Sequence, residues 1–335
     1  MTELATEPTT SETPSSEIPT AELERRLEDH RREIAGYCYR MLGSTFETDD
    51  AVQETMVRAW RALDKFDGRS SLRTWLYRIA TNVCLDMLNG RKRRALPMDL
   101  GPASPPIASS LGRPQPEAIW IQPMPDSSVL PSNGDPADLA VERDAVRLAF
   151  IAALQHLPPR QRAVLILREV LRWSAAEVAE LLDGTVASVN SALQRARATL
   201  ATVEPGTEDR YEPMDDDQKG LLARYVEAFT SYDIASLVAL LHEDATASMP
   251  PFQLWLQGRE DIGRWHVGPG STCNGSVLVP VQVNGSPAFA HYRPGPSGHE
   301  PFGIQVLELT GDRISKITYF LDTDLFARFG LPPHP

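Results

Sequence analysis

Ten prolines fall between Pro97 and Pro136, mixed with serine, glycine and alanine. Each proline removes a backbone donor and fixes φ, so no continuous helix and no central strand can run through this stretch. The 335-residue chain is long enough for two or three domains, and this is where it divides. Residues 97–137 read as a semi-extended linker rather than a fold. One segment inside it, Ile119-Trp120-Ile121-Gln122-Pro123, is too apolar for a passive tether.

On either side the apolar residues recur at helical spacing. Leu23, Leu27, Ile34, Cys38, Met41 and Leu42 form one stripe, and Val52, Met56, Ala59, Trp60 and Leu63 a second. A third runs through Leu72, Trp75, Leu76, Ile79, Ala80, Val83 and Met87. Breaks are expected at Gly43-Ser44 and Asp67-Gly68, with Ser70 or Ser71 capping the third helix. Residues 21–96 and 138–203 are therefore predicted to be all-α. Residues 204–217 are an acidic joint ending in Asp215-Asp216-Asp217. Two helices are expected over 218–241, then strands at 276–283, 288–293, 303–310 and 313–321, the last two joined by a Gly311-Asp312 hairpin.

The net charge of −12 argues against nucleic acid until it is mapped. Residues 20–97 carry fifteen basic and twelve acidic side chains, and residues 140–203 eight and six. Residues 205–335 carry nine and seventeen, so the acid is concentrated in the last third. Local basic faces, not the total, govern DNA binding. Residues 1–20 are rich in Thr, Ser, Pro and Glu and predict a disordered tail without signal-peptide character. Cys38, Cys84 and Cys273 are widely spaced, which fits a reducing cytoplasm and argues against a disulfide framework or a zinc site. There is no run of apolar residues long enough for a membrane span.

Residues 158–200 hold the clearest motif. Pro158-Pro159 open a helix, and Ser174 with Glu177 has capping-box spacing before a short second helix. Asp183-Gly184 makes the turn, and Thr185 caps a third helix running to Val203. This is a helix-turn-helix layout, in which the last helix enters the major groove. Ser188, Asn190, Ser191, Gln194, Arg195 and Arg197 are its candidate reading residues. Asn and Gln pair with adenine edges, and Arg with guanine or phosphate. A three-helix packing unit with a solvated face is the plainer alternative. The second constellation is the amphipathic helix of residues 71–88 followed by Arg91-Lys92-Arg93-Arg94. Trp75 and Tyr77 beside that basic run suit single-stranded DNA, because bases stack on rings while cations hold phosphates. Equally, Trp75 lies on the apolar stripe and suits a core.

Together these residues resemble the group-four, extracytoplasmic-function sigma factors. Thr48-Asp49-Asp50-Ala51-Val52-Gln53-Glu54-Thr55, with Arg58-Ala59-Trp60, resembles region 2.2. The run from Phe66 through Trp75 and Tyr77 to Asn82 resembles regions 2.3 and 2.4. Leu157-Pro158-Pro159-Arg160-Gln161-Arg162 and Gln194-Arg195-Ala196-Arg197 bracket a likeness of region 4. The resemblance implies that polymerase is bound through Asp49, Asp50, Gln53, Glu54, Val57, Arg58 and Trp60. It implies −10 capture and melting by Phe66, Asp67, Arg69, Ser70, Trp75, Tyr77, Arg78, Asn82, Asp86, Arg91, Lys92 and Arg93. The −35 element falls to the six residues of the third helix. By analogy the linker threads the polymerase cleft, with Trp120 and Asp126 as contacts. The sequence departs from the family at Asn190 and Ala192, where a basic residue is usual, and at Asp67, an acid beside the flipped base.

Residues 218–330 resemble the SnoaL-like family, an α+β cone with a pocket. The signals are His242-Glu243-Asp244-Ala245 and Gly258-Arg259-Glu260-Asp261-Ile262, between paired helices and final strands. The whole arrangement is similar to the sigma factor G group of actinobacteria. The expected fold is thus multidomain: two all-α sigma domains and one SnoaL-like cone domain. Candidate pocket residues are Trp255, Trp265, His266, His291 and Tyr319, with Asp261 and Tyr292 as further polar groups. A core role suits them equally, and they form no fixed acid–base pair. The expected partners are core RNA polymerase (β and β′ subunits), promoter DNA and a small ligand of the last domain, with no membrane, metal or cofactor. A free-standing helix-turn-helix regulator and a DNA-binding leader fused to an isomerase- or cyclase-like enzyme are the competing readings.

Overall fold

The computed structural model describes residues 20–66, 68, 70–131, 135–203 and 214–335. Most of the predicted tail, Asp67 and Arg69, and most of the acidic joint lie outside them.

The first unit comprises α1 (Thr20–Asp29), α2 (Arg31–Leu42), α3 (Thr45–Arg61) and α4 (Leu72–Leu88). Gly43 ends α2 at φ 67°, a left-handed conformation that glycine adopts without a Cβ penalty. Ser44 then caps α3 by accepting from the Glu47 amide at 3.2 Å. Ser71 caps α4 through the Thr74 amide at 3.0 Å. From Gly36 to Leu42 every residue of α2 is buried.

The proline-rich stretch is not a detached tether. It carries single helical turns and the short α5 (Asp126–Val129). Ala95 and Trp120 bridge as in a sheet, and residues 120–125 are all buried. Burial of Trp120, Ile121 and Met124 supplies an apolar driving force that composition alone concealed.

The second helical unit comprises α6 (Pro136–Asp144), α7 (Leu148–Gln155), α8 (Pro159–Leu165), α9 (Ala175–Leu181) and α10 (Val186–Val203). A π-type turn, Ile166–Val170, extends α8. The Ser174–Glu177 capping box forms on both sides.

The last unit starts with α11 (Asp216–Thr230) and α12 (Ile234–Ala239). It continues through β1 (Leu241–Ser248), β2 (Trp255–Gln257), α13 (Arg259–Val267), β3 (Val277–Val283), β4 (Ser286–Gly295), β5 (Gly298–Thr310), β6 (Arg313–Phe320) and α14 (Asp324–Arg328). The six strands lie in the order β2-β1-β6-β5-β4-β3, with β1 and β6 parallel and the other pairs antiparallel. This is the expected α+β cone, with β1 and β2 added. Alternation did not reveal β1, because His242, Glu243 and Asp244 are exposed in succession beside a register shift. Besides the expected β5–β6 hairpin, Asn284-Gly285 closes β3 onto β4, both residues at positive φ. That dipeptide is a strong turn signal.

Side chains alternate across a sheet, and here both faces are covered. Phe289, Leu307, Ile317 and Tyr319 face α11, α12 and α13 in one apolar cluster. Ala288, Ala290, Tyr292, Ile304 and Val306 join a second cluster that runs through the linker into both helical units.

Candidate promoter and polymerase interface

On α10 the core side is Val189, Ala192, Leu193 and Ala196, and the exposed side holds Ser188, Asn190, Ser191, Gln194, Arg195 and Arg197. The predicted face is therefore the outward one. Two of its members are engaged locally. Ser188 accepts from the Thr185 amide at 3.1 Å while its hydroxyl donates to the Thr185 carbonyl at 2.7 Å. Arg197 donates to Glu169 at 2.5 Å.

On α3, Asp50, Gln53 and Trp60 are exposed, Trp60 to 60%. Arg58 donates to Glu54 at 2.6 Å and reaches Asp86 on α4 at 3.4 Å. Val57 is half-buried. Asp49 accepts from Arg328 of α14, so the last helix of the sheet domain reaches α3.

The predicted −10 face is partly enclosed. Asn82, Asp86, Arg91 and Lys92 are exposed, and Phe66 and Ser70 are half-buried. Trp75 is half-buried against Phe66, with ring centroids 5.2 Å apart. Tyr77, expected on this face, is instead fully buried, packed edge-on to Tyr37 and to Trp173 of the second helical unit. The apolar stripe outweighs its aromatic character. Arg78 donates to the Glu180 carbonyl of α9 at 2.7 Å. Arg93 donates to the His156 ring at 2.8 Å, and Arg91 to Glu47.

Sequence reasoning missed the residues that join the parts. Arg40 of α2 is buried, pairs with Glu142 of α6 and donates to the Ala145 carbonyl at 3.1 Å. In the opposite direction, buried Arg162 donates to the Met41 carbonyl at the C-terminal end of α2. A cation there also meets the negative end of the helix dipole. The linker contacts expected in polymerase are made internally: Trp120 is buried, and Asp126 accepts from the Gly285 amide at 2.8 Å.

Of the pocket candidates, Trp265, His266, His291 and Tyr319 come together as buried side chains. Trp255 does not join them; its indole donates to the Gly101 carbonyl of the linker at 2.9 Å. Asp261 accepts from Arg264 nearby, and Tyr292 faces the opposite side of the sheet from His291. Tyr225 donates to Gln305 at 2.7 Å, Gln305 donates to His291 Nδ1 at 3.0 Å, and Tyr319 sits 3.4 Å from His266 Nε2. Burial depresses His266 to about 4, and burial with nearby His266 and Arg293 depresses His291 to about 3.

Both rings therefore stay neutral in the folded domain while the unfolded chain takes up protons below about pH 6.5. Stability is full above that pH and falls as pH drops toward 4. His266 alone accounts for about 3 kcal/mol of the loss by pH 4. The calorimetric transition of the sheet domain should shift steadily to lower temperature between pH 7 and 4.5. Replacement of His291 and His266 by Gln should flatten that dependence. A transition insensitive to pH in the native chain would contradict the buried neutral rings.

The sigma-70 region 2 family matches residues 27–94, and the sigma-70 region 4 family matches residues 147–200. Two such modules, the second a helix-turn-helix, define a promoter-recognition subunit of bacterial RNA polymerase. The chain belongs to the extracytoplasmic-function sigma factors. It is 47% identical over 309 residues to the ECF RNA polymerase sigma factor SigG of Mycobacterium tuberculosis, covering 91% of this chain and 82% of that protein. It is 30% identical over 171 residues to the ECF RNA polymerase sigma factor SigW of Bacillus subtilis, covering 51% of this chain and 82% of that one. The crystal structure of the Mycobacterium tuberculosis sigma factor SigJ shares the fold at a TM-score of 0.58 and 20% identity, covering 93% of this chain and 99% of that one. Among the described residues no helix is long and apolar enough to cross a membrane.

Proposed function

We propose that this structure is the closed, resting form of the sigma factor, held shut by its C-terminal domain, and that it opens on core polymerase in the cytoplasm. The observation that carries this reading is the cover over region 2. Arg78 and Arg93 are bonded to region 4, and Tyr77 is packed on Trp173. The −35 and −10 elements lie about 25 base pairs apart, or roughly 85 Å of duplex at ~3.4 Å per pair. Regions that share one core cannot reach both. A fluorescent pair on exposed sites of α4 and α10 should show close approach in the free chain. Transfer should collapse when core polymerase and promoter are added; unchanged transfer in the complex would refute the closed-form reading.

In the open form α10 reads the −35 duplex, and α4 with Phe66 and Ser70 captures non-template bases. Extruding a base costs a few kcal/mol, offset by stacking and by the cations released from region 4. Gln194→Ala or Asn190→Ala should cost roughly 1–3 kcal/mol at one promoter position. Arg197→Ala should weaken all promoters evenly if it contacts phosphate. A promoter-variant panel showing unaltered base preference for both amide substitutions would place the reading face elsewhere.

A small ligand inside the cone is the second reading. His266 Nδ1 and His291 Nε2 are buried without a partner; because Gln305 donates to His291 Nδ1, His291 Nε2–H is left as a donor that a ligand acceptor would satisfy.

A further inference from the structure

We propose that the tip of the β3–β4 hairpin is a latch, that its ligand is this chain's own linker, and that releasing it separates regions 2 and 4 in a single step. The inference rests on the closed-form reading above.

Asn284 is fully buried. Its amide donates to the Met124 carbonyl at 3.0 Å, and its side-chain oxygen accepts from the Met124 amide at 2.8 Å. Its side-chain nitrogen donates to Tyr39 Oη of α2 at 2.7 Å and to the Val146 carbonyl, just before α7, at 2.6 Å. One carboxamide thus joins region 2, the linker and region 4. Tyr39 extends the junction by donating to the Gln122 carbonyl at 2.7 Å. Beside it, a Cβ on Gly285 would lie 2.9 Å from the Arg143 carbonyl, so the turn fits region 4 only with glycine there.

The linker is held at both edges of the sheet. Pro125 bridges to Val283 on edge strand β3. At the other edge, Ser104 donates to the Trp255 carbonyl of β2 at 2.8 Å, and Gln115 donates to the Pro251 carbonyl at 2.8 Å. Regions 2 and 4 cannot part while Asn284 grips both. Losing any one partner leaves a buried amide group unsatisfied, which weakens the rest.

The test uses the full chain and three variants: Asn284→Ala, Gly285→Ala and Tyr39→Phe. Hydrogen exchange is read over residues 120–126, with core-dependent transcription read in parallel. All three should raise linker exchange roughly tenfold or more and raise transcription several-fold. Tyr39→Phe lies outside the sheet domain, so it keeps the test valid if the hairpin variants misfold. Folded variants with native linker exchange would overturn the latch. Faster exchange in all three, with no response to core polymerase even in the native chain, would instead overturn the closed-form reading and the latch's role in opening, leaving only the grip of the hairpin on the linker.

Discussion

Promoter DNA mixed with the full chain alone should show no distinct protection at −35 or −10, and core polymerase should produce both footprints. The contacts that limit the free chain are visible. On α10, Arg197 is paired with Glu169 and Ala192 is a core residue, so few cations are left for phosphate. The region 2 cations Arg78 and Arg93 are bonded to region 4. Binding by the free chain should therefore lie in the non-specific range, roughly 10⁻⁴–10⁻⁶ M at physiological salt. The complex with core enzyme should bind at least a hundredfold more tightly and survive a rise in salt, because melted bases are then held by stacking as well as by charge. Equal footprints with and without core enzyme would make this a free-standing regulator.

Glu142→Ala should destabilise the fold by about 3–5 kcal/mol, because it leaves the Arg40 guanidinium, whose side chain is 2% exposed, with the Ala145 carbonyl but no counter-charge. Glu142→Gln keeps an acceptor and should cost less. The readouts are urea unfolding and the radius of gyration in solution, which should grow as regions 2 and 4 part. A Glu142→Ala chain as compact and stable as the native one would mean that the seam is held elsewhere. The pair also suits the opening proposed above. Closing buries Arg40 and part of Glu142, so the net gain from the pair is small even though breaking one side is costly. Opening rehydrates both charges together.

Local features were legible in the sequence. Ser71, the Ser174–Glu177 box and Thr185 cap helices within three residues of themselves, so spacing alone places them. The outward face of α10 followed from the apolar period on its other side. Arg40–Glu142, Arg162–Met41 and Asn284–Tyr39 join positions more than a hundred residues apart, and no periodicity encodes such a pairing. Tyr77 shows the limit of reading side-chain chemistry without burial: a ring beside a basic run suits a base as well as it suits Trp173. Trp120 shows the converse: its apolar neighbourhood marked the segment as more than a tether, but the expected contact was polymerase and the observed one is internal.

The prolines that divide the sequence have one more effect. A sheet with free edges is a template for pairing with another molecule, and the segments along β2 and β3 in this chain occupy that position. Pro123 and Pro125 lie in the covering segment at the β3 side and have no amide hydrogen to offer. Pro102, Pro105, Pro106 and Pro114 interrupt the cover at the β2 side in the same way. A neighbouring copy therefore meets a broken row of donors at either end of the sheet. The stretch that divides the sequence thus also works against extension of the sheet beyond its own molecule.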